Sequence, residues 1–334
     1  MIIKPSSLGD VVHALPAVSA IRSRFPQAEL HWLVNTEWAP ILEDNPDLSG
    51  IIPFPRKQWT RGWRDLGKAR AWAKEKFSEL KPDWTIDFQG LLRSGLLARS
   101  SGAELKIGFQ QAREGAPFFY THKTRVENWY QTHAVDRYLQ IPAALGCEID
   151  RPKFKLPRGD SIELPDLTEK WILLHPFSRG KGKSLSFEEV AEFCRTCAPV
   201  SVAVVGAGVT WPSSSPFPEN AIDLLGKSSL AQLIWLMRNA AWTVSVDSGP
   251  MHLAAGISDR VLSVHTWTDP LMVGPYPESA WIYREGQILQ RQELAPGQFP
   301  ENRKAKTEFS NRDSLLPDTE IARIAGFTVD QVLR

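Results

Sequence analysis

An aspartate near the start of the chain stands where a carboxylate could act on a substrate. Asp10 ends a segment of small residues that begins at Ser6, after the apolar residues 1–3 and before an amphipathic run at 11–25. This order predicts a strand, a tight loop and a helix. Asp10 then lies at or near the helix N-terminus, where partial positive charge keeps a carboxylate ionised. Such a carboxylate can take a proton from a substrate hydroxyl; a plain helix-capping role for Asp10 is the alternative.

A polar loop in the second half of the chain has the composition of a phosphate site. Residues 176–184 leave an apolar run, enter a helical pattern, and carry Arg179, Lys181 and Lys183 among hydroxyl residues and glycines. A diphosphate needs this mixture, because backbone N–H groups bind its oxygens while cations balance its charge. The segment therefore predicts a diphosphate site, with a solvated basic loop as the alternative.

A third segment, residues 246–255, also lies between a predicted strand and a predicted helix. Gly249 permits unusual backbone angles, Pro250 suits a first helical turn, and the N–H groups of that turn can bind phosphate. An aspartate is unfavourable beside a diphosphate, so we expect Asp247 to orient the loop or to contact a sugar hydroxyl. A helix-capping role is the alternative for His252.

Two other cofactor sites are disfavoured by the pattern. A dinucleotide fingerprint begins at Gly206 and Gly208, but Trp211 and Pro212 stand where its third glycine and helix are required. No acidic pair of the DxD type follows a strand. Because the chain supplies its own cations, we expect a chemistry that needs no metal.

The composition bounds the class of protein. With 334 residues the chain is long enough for two domains, and its net charge of +1 gives no field that selects nucleic acid or membrane. Three cysteines fit a reducing cytoplasm, and Cys194 and Cys197 fit helix packing better than a zinc site. No apolar run approaches a membrane span, and no signal peptide is evident, so we expect a cytoplasmic protein.

Short apolar runs alternate with helical periods along the whole chain, which is typical of parallel strands covered by helices on both faces. The predicted strands are 1–4, 29–34, 84–88, 105–108, 171–175, 201–205, 243–246 and 261–265. The predicted helices are 11–25, 67–80, 91–100, 127–145, 187–197, 230–238 and 318–333. We expect residues 291–316 to be irregular.

Residues 151–169 are rich in proline and charged residues, a composition that predicts a linker between two halves of similar size. We predict an α/β protein in which two Rossmann-like, doubly wound parallel sheets face a cleft. The domains are residues 1–155 and 168–316, followed by a C-terminal helix at 317–334. Ligands of such sheets bind beyond the carboxyl ends of the strands.

A basic and aromatic patch lies in residues 54–76. It has eight cationic and two acidic residues, a local charge of +6, and it interleaves Trp59, Trp63 and Trp72. Such a patch suits an anionic acceptor at a membrane surface. The alternative is a solvated helix face whose tryptophans are partly core; nucleic acid fits less well, because the whole chain is nearly neutral.

Five motifs occur in one order and spacing: residues 4–13, 87–91, 112–114, 246–255 and 268–270. Together they resemble the lipopolysaccharide heptosyltransferases, which are glycosyltransferases of family 9 with the two-domain GT-B fold, and among them heptosyltransferase I. The resemblance implies an inverting, metal-independent transfer of heptose from ADP-heptose to an anionic, lipid-linked acceptor of the Kdo-lipid A type. It places the acceptor in the N-terminal domain and the nucleotide sugar in the C-terminal one.

The resemblance also assigns residues. Asp10 is the catalytic base. The loop position of a phosphate-binding cation falls on Lys183, although Leu185 stands where the family has a tryptophan, which leaves Lys181 as the alternative. The donor-binding residues are Ser178, Arg179, Lys183, Asp247, Ser248, Gly249 and His252. The acceptor-binding residues are Gly9, Arg61, Arg64, Gln89, Arg93 and Arg113.

Other functions stay open at this point. The same fold can carry a different nucleotide-sugar transferase or an epimerase, and a catalytically silent glycan-binding protein is a third alternative. For the transferase we expect a place in the cytoplasm, with peripheral contact at the cytoplasmic face of the inner membrane and no nucleic-acid partner.

Overall fold

The part of the chain that the structure describes forms two β-sheets, each flanked by helices. The computed structural model describes residues 1–58, 66–165, 167–311 and 314–334. They form two units, Met1–Pro157 and Arg158–Arg334. The boundary falls inside the stretch that the sequence marks as a linker.

The first unit contains a parallel sheet. Its strands among the described residues are β1 (Ile2–Ile3), β2 (His31–Asn35), β3 (Gly50–Phe54), β4 (Trp84–Asp87), β5 (Leu105–Phe109) and β6 (His122–Thr124). They lie in the order β3-β2-β1-β4-β5-β6, with every neighbouring pair parallel. Its helices in the same described part are α1 (Leu8–Arg24), α2 (Leu66–Leu80), α3 (Leu92–Ser100) and α4 (Ala134–Ala144).

The second unit contains a larger, mostly parallel sheet. Its described strands are β7 (Ile172–His175), β8 (Val202–Gly206), β9 (Ala221–Leu225), β10 (Trp242–Val246), β11 (Val261–His265), β12 (Trp281–Arg284) and β13 (Gln287–Gln290). They lie in the order β13-β12-β11-β10-β7-β8-β9, and β13 is antiparallel to β12. Its described helices are α5 (Phe187–Cys197), α6 (Leu230–Asn239), α7 (Gly249–Ile257), α8 (Pro270–Val273), α9 (Arg303–Ser310) and α10 (Asp318–Leu333).

Each sheet reverses its strand order at one place, and the polar loops of the sequence follow the strands on either side of it. In the first sheet the reversal lies between β1 and β4; in the second it lies between β7 and β10. Ligands of doubly wound sheets bind at such a point, outside the carboxyl ends of the strands. The predicted α/β class with two doubly wound parallel sheets is confirmed.

Most element predictions hold within a few residues, and α5 and α10 match closely. The predicted helix 127–145 is wrong in its first part: Asn128 has a left-handed φ of 51°, and α4 begins only after His133, whose side chain accepts from the Val135 N–H. The prediction of an irregular 291–316 is also wrong, since α9 forms there with its first N–H groups capped by Asn302.

Five strands were not predicted: β3, β6, β9, β12 and β13. Except for β12, they have few fully buried residues, and they sit at or next to the ends of the sheets. Their apolar periodicity is therefore weak, because strands near a sheet edge bury less side-chain surface.

The cysteines of α5 are structural. Cys194 and Cys197 are free, fully buried and part of the apolar core of the second unit. Burial raises the pKa of Cys194 to about 12, so its thiol stays protonated and unreactive near neutral pH. The interpretation of this pair as helix packing is confirmed.

A buried glutamate ties the C-terminal helix to the second sheet. Glu189 of α5 is 2% exposed and accepts hydrogen bonds from the Ser186 N–H at 2.6 Å, from the Ser314 hydroxyl at 3.1 Å and from the Leu316 N–H. Leu316 precedes Pro317, the N-cap of α10, and α10 packs on α5. This carboxylate therefore fixes the direction in which the chain enters its last helix.

Replacing Glu189 by alanine should lower the free energy of unfolding of the second unit by about 2–4 kcal/mol, because several buried donors lose their acceptor. Equilibrium urea unfolding measures the change. Glu192→Ala on the same helix is the matched control: its ion pair with Arg195 is surface-exposed, so the loss should stay below about 0.5 kcal/mol. Equal losses in the two variants would contradict the account.

Candidate active site

The first polar loop closes around Asp10. Helix α1 begins at Leu8, so Asp10 lies in its first turn, with its carboxylate accepting from the Ser7 N–H at 3.0 Å and from the Ser7 hydroxyl at 2.7 Å. The Asp10 side chain is 40% exposed. Ser7 is the N-cap and Asp10 is the third residue of the helix, so Asp10 caps α1 through one carboxylate oxygen, as the alternative expected, while the other oxygen is directed to other partners.

Those partners are a lysine and a tyrosine that the sequence analysis did not assign. Lys4 is 2% exposed, and its Nζ lies 3.8 Å from Asp10 Oδ1 and 5.1 Å from the centre of the Tyr138 ring. The Tyr138 hydroxyl donates to the same Asp10 oxygen at 3.2 Å. The apolar run around Lys4 and the position of Tyr138 in α4 gave no sign of this contact.

The surroundings keep Asp10 ionised. Burial acts to raise the pKa of its carboxyl, but the charge of Lys4 and the hydrogen bonds from Ser7 and Tyr138 outweigh it and hold the pKa below its usual value. Burial and the nearby carboxylates raise the pKa of Tyr138, so its hydroxyl remains a donor. Asp10 is thus a charged, partly exposed carboxylate in the first turn of α1, close after the end of β1.

The loop after β4 faces the loop after β1. The Gln89 side-chain carbonyl accepts from the Ser6 N–H at 3.2 Å. Asp87 is fully buried and holds this turn, accepting from the Gln89 and Gly90 N–H groups at 2.8 and 3.1 Å and from the Tyr120 hydroxyl at 2.7 Å. The structure therefore brings Gln89, one of the predicted acceptor-binding residues, to the loop that carries Asp10.

The other predicted acceptor residues are dispersed around this pair of loops. Gly9 is buried in the first turn of α1, while Arg93 and Arg113 are exposed. The Arg113 N–H donates to the Gly90 carbonyl at 2.9 Å. Burial lowers the pKa of Lys4, and the Arg113 charge acts in the same direction. Arg61 and Arg64 lie outside the described residues.

Only part of the basic patch at residues 54–76 lies among the described residues. Trp59 and Trp63 lie outside the described residues, whereas Trp72 packs on the core of the first unit, with its ring 5.3 Å from that of Phe54 and 6.4 Å from that of Phe77. For this tryptophan the core interpretation is the right one, because the aromatic ring is directed inward from α2.

The second site is organised by a lysine and an aspartate. Lys183 Nζ lies 2.6 Å from Asp247 Oδ2, and the Thr268 hydroxyl donates to the same oxygen at 2.7 Å. Thus residues from the loop after β7, the loop after β10 and the loop after β11 meet at one carboxylate. Lys181 is exposed, so the geometry favours Lys183 as the cation of this loop.

Asp247 is ionised and structural. Burial acts to raise its pKa, but charge interactions with His265 and Lys183 and hydrogen bonds from Lys183 and Thr268 outweigh it. Burial lowers the pKa of His265 to about 4, so this histidine is neutral near pH 7 and Lys183 balances the charge. Asp247 therefore joins its own loop to Lys183 and Thr268, an arrangement that favours the loop-orienting role over the other expected one, contact with a sugar hydroxyl.

An aromatic ring links Lys183 to a further cation. The Lys183 Nζ lies 4.7 Å from the Trp267 ring centre, and the Lys306 Nζ of α9 lies 4.9 Å from it. Helix α9 also packs Phe309 against Gly182. Neither Trp267 nor Lys306 carried a motif, and the segment of α9 was expected to be irregular.

The remaining predicted donor residues line the same edge of the sheet. The Ser178 hydroxyl accepts from the Gly180 N–H at 3.2 Å, and the Ser248 hydroxyl lies 3.5 Å from His175 Nδ1. Gly249 begins α7, and His252 lies within its first turn. Arg179 is exposed on the loop after β7.

The described residues contain neither a cluster suited to a metal ion nor a helix suited to cross a membrane. Within that part of the chain, no cluster of three or more His, Cys, Asp or Glu side chains could hold a metal ion. In the same ranges, no helix combines the length and the apolar character that crossing a membrane requires.

Comparison with known proteins gives the family. The sequence model of glycosyltransferase family 9 (heptosyltransferase) matches residues 71–175 and 214–296. The lipopolysaccharide core heptosyltransferase OpsX of Haemophilus influenzae is 26% identical over 295 residues, which cover 82% of this chain and 81% of that protein. Lipopolysaccharide heptosyltransferase 1 of Escherichia coli is 27% identical over 303 residues, which cover 85% and 92%.

A solved structure agrees in fold. The E. coli heptosyltransferase WaaC with ADP matches with a TM-score of 0.72 and 23% identity over 98% of both chains. The protein belongs to glycosyltransferase family 9, the heptosyltransferase family, and has the GT-B fold. It is a glycosyltransferase, and the resemblance drawn from its five motifs is confirmed.

The buried histidine at the end of β7 should make stability depend on pH. Burial lowers the pKa of His175 from 6.5 to about 4. Above pH 6.5 the folded and unfolded states both hold a neutral imidazole. As the pH falls from 6.5 to 4, only the unfolded state gains the proton, so the free energy of unfolding decreases by up to about 3 kcal/mol.

Urea unfolding across this pH range measures the slope. His175→Gln should flatten it, whereas His122→Gln should not, because His122 is exposed on β6. An unchanged slope in His175→Gln would refute the assignment.

Proposed function

We propose that this glycosyltransferase transfers heptose from ADP-heptose to an acidic acceptor of the lipopolysaccharide inner core, of the Kdo-lipid A type, with inversion and without a metal. The observation that carries the proposal is the partly exposed Asp10 carboxylate, held ionised in the first turn of α1 at the point where the first sheet reverses its strand order. The names of the relatives support heptose and lipopolysaccharide as substrates.

The reaction is a single displacement. Asp10 accepts the proton of the acceptor hydroxyl as its oxygen bonds to the anomeric carbon of the heptose. The bond from that carbon to the diphosphate oxygen breaks in the same step, and ADP leaves with the electron pair. Attack opposite the leaving group inverts the anomeric configuration.

The second unit stabilises the leaving diphosphate. Lys183 supplies an ammonium that is 16% exposed and already held by Asp247, so it is oriented before the donor arrives. The first turn of α7, beginning at Gly249, offers backbone N–H groups and the positive end of its dipole. Ser178, Arg179, Ser248 and His252 complete the donor site. ADP as the nucleotide is supported by the similarity to WaaC with ADP.

The first unit binds the acceptor. Gln89 and Gly9 lie beside Asp10, and Arg113 acts electrostatically on the Lys4 beneath it. These positions suit a hydroxyl held next to acidic sugars, with Arg93, Arg61 and Arg64 as further contacts to carboxylates and phosphates. A lipid-linked acceptor then requires the enzyme to work in the cytoplasm, at the surface of the inner membrane.

Asp10→Asn should abolish transfer, by at least about 1,000-fold in kcat, because the amide cannot accept the proton while the shape of the site is kept. Its affinity for ADP, measured by calorimetry, should remain that of the wild type. Transfer at the wild-type rate would show that Asp10 is not the base. Loss of both transfer and ADP binding would indicate a folding defect.

Lys183→Met should weaken ADP binding about 10- to 100-fold, because a charge-assisted hydrogen bond to phosphate is lost. Lys181→Met is the matched control two residues away; its side chain is exposed, and the affinity should change less than about threefold. Titration in buffer with chelator, repeated with UDP and GDP, measures both variants. A larger effect at Lys181 would transfer the assignment to that lysine.

A further inference from the structure

Exposed apolar side chains gather on one surface of the first unit. Among the described residues, Leu92 of α3 is 41% exposed, Leu96 of the same helix is 37% exposed, and Phe118 is 90% exposed. Single exposed leucines are ordinary on a protein surface, whereas several large apolar side chains in one place mark a contact site. These three mark such a site if they adjoin one another.

The elements that carry them pack on each other. Phe118 belongs to a short 3-10 helix, Ala116–Phe119, which lies against α3. The contact is made at Gly95, where a Cβ atom would stand 2.7 Å from the Phe119 ring and 3.2 Å from the Ala116 Cα. Because glycine has no Cβ, the two elements approach closely at this position.

The exposed side chains flank this contact. Leu92 precedes Gly95 by three residues and Leu96 follows it by one, so the two leucines, four positions apart, share one side of α3. Phe118 adjoins the contact from the 3-10 helix, between two half-buried residues. We call this surface the apolar patch; its members are Leu92, Leu96, Pro117, Phe118 and Phe119.

Cations surround the apolar patch. Arg93 and Arg99 of α3 are exposed, as is Arg113 shortly before the 3-10 helix. The one carboxylate in residues 91–100 and 113–119 is that of Glu114, which accepts from the Leu92 N–H at 3.2 Å at the start of α3. The surface therefore combines apolar side chains with a net positive charge.

The apolar patch lies next to the loops proposed to bind the acceptor. Helix α3 starts shortly after the turn that holds Gln89, and the Arg113 N–H donates to the Gly90 carbonyl of that turn at 2.9 Å. A lipid-linked acceptor keeps its acyl chains in a bilayer. The surface beside its binding site therefore has to approach that bilayer.

We propose that the apolar patch docks the enzyme on an anionic lipid bilayer. Leu92, Leu96 and Phe118 enter the boundary between headgroups and acyl chains, and the arginines around them face anionic headgroups. A second copy of this chain fits less well, because a two-fold contact would bring the same cations together. The inference rests on the proposed function for the nature of the acceptor, whereas docking on a bilayer can be measured without it.

Sedimentation of the full-length protein with vesicles tests the docking. The wild type should bind vesicles of phosphatidylcholine mixed with phosphatidylglycerol. Leu96→Gln/Phe118→Ser should bind them at least about 10-fold more weakly, because two apolar side chains no longer enter the bilayer. Arg99→Gln should weaken binding about fivefold, because one cation near the anionic surface is lost.

Leu333→Gln is the matched control, since Leu333 is 67% exposed on α10 in the second unit, away from the patch in the chain. Its vesicle binding should equal that of the wild type, and urea unfolding should show that all variants stay folded. The proposal is overturned if the wild type does not bind the mixed vesicles, or if the double variant binds them equally well. Equal wild-type binding to phosphatidylcholine alone would also contradict it.

Analytical ultracentrifugation tests the other occupant of the surface. The wild type and Leu96→Gln/Phe118→Ser should sediment with the same mass, because the patch faces lipid. A wild-type dimer that dissociates in the double variant would assign the patch to contact between copies and would refute the docking on a bilayer.

Transfer assays separate this inference from the proposed function. Leu96→Gln/Phe118→Ser should use a water-soluble acceptor without acyl chains at the wild-type rate, and should need about 10-fold more Kdo-lipid A when it is presented in vesicles. Equal use of the vesicle-bound acceptor by both proteins would contradict the link between docking and transfer. If neither acceptor receives heptose, the proposed function fails, while the vesicle sedimentation still decides the docking.

Discussion

The interaction between the buried Lys4 ammonium and the partly exposed Asp10 carboxylate constrains the whole active edge of the first unit. A buried cation is stable only where a carboxylate is fixed near it. Asp10 is fixed by the first turn of α1, where it accepts from the Ser7 N–H. Because β1 lies beside β4, the turn after β4 also brings Gln89 to this loop. Tyr138 completes the arrangement from α4 and joins that helix to the same carboxylate.

The second unit uses the same pairing for a different purpose. There the carboxylate is buried and the lysine is the more exposed partner: the Asp247 side chain is 6% exposed and that of Lys183 is 16% exposed. A buried carboxylate cannot reach a substrate proton, so the proposed function gives Asp247 the part of holding Lys183, and gives the more exposed Lys183 ammonium the contact with phosphate. Under that proposal, exposure rather than residue type separates the base Asp10 from the buried Asp247.

The fold class and the loops of the candidate site could be predicted from the sequence. Buried parallel strands appear as short apolar runs, and helix starts appear as small and polar residues after those runs. Three contacts were not predictable. Lys4 lies in an apolar run that gives no sign of its pairing with Asp10, and Tyr138 is far from Asp10 in the chain. Lys306 lies in a polar segment without a motif. The ion pair of Lys183 with Asp247, which favours Lys183 over the exposed Lys181, likewise could not be read from the sequence. His133 and Asn128 delay α4 through backbone geometry that apolar periodicity does not report.

The most direct measurement is a transfer assay with ADP-heptose and Kdo-lipid A in buffer containing chelator, followed by NMR of the product to read its anomeric configuration. The account predicts release of ADP that requires both substrates, and a product inverted relative to the donor. Transfer with retention would contradict a single displacement assisted by Asp10. Absence of transfer, with the donor bound, would contradict the assignment of this acceptor and favour a different sugar transfer or a glycan-binding role.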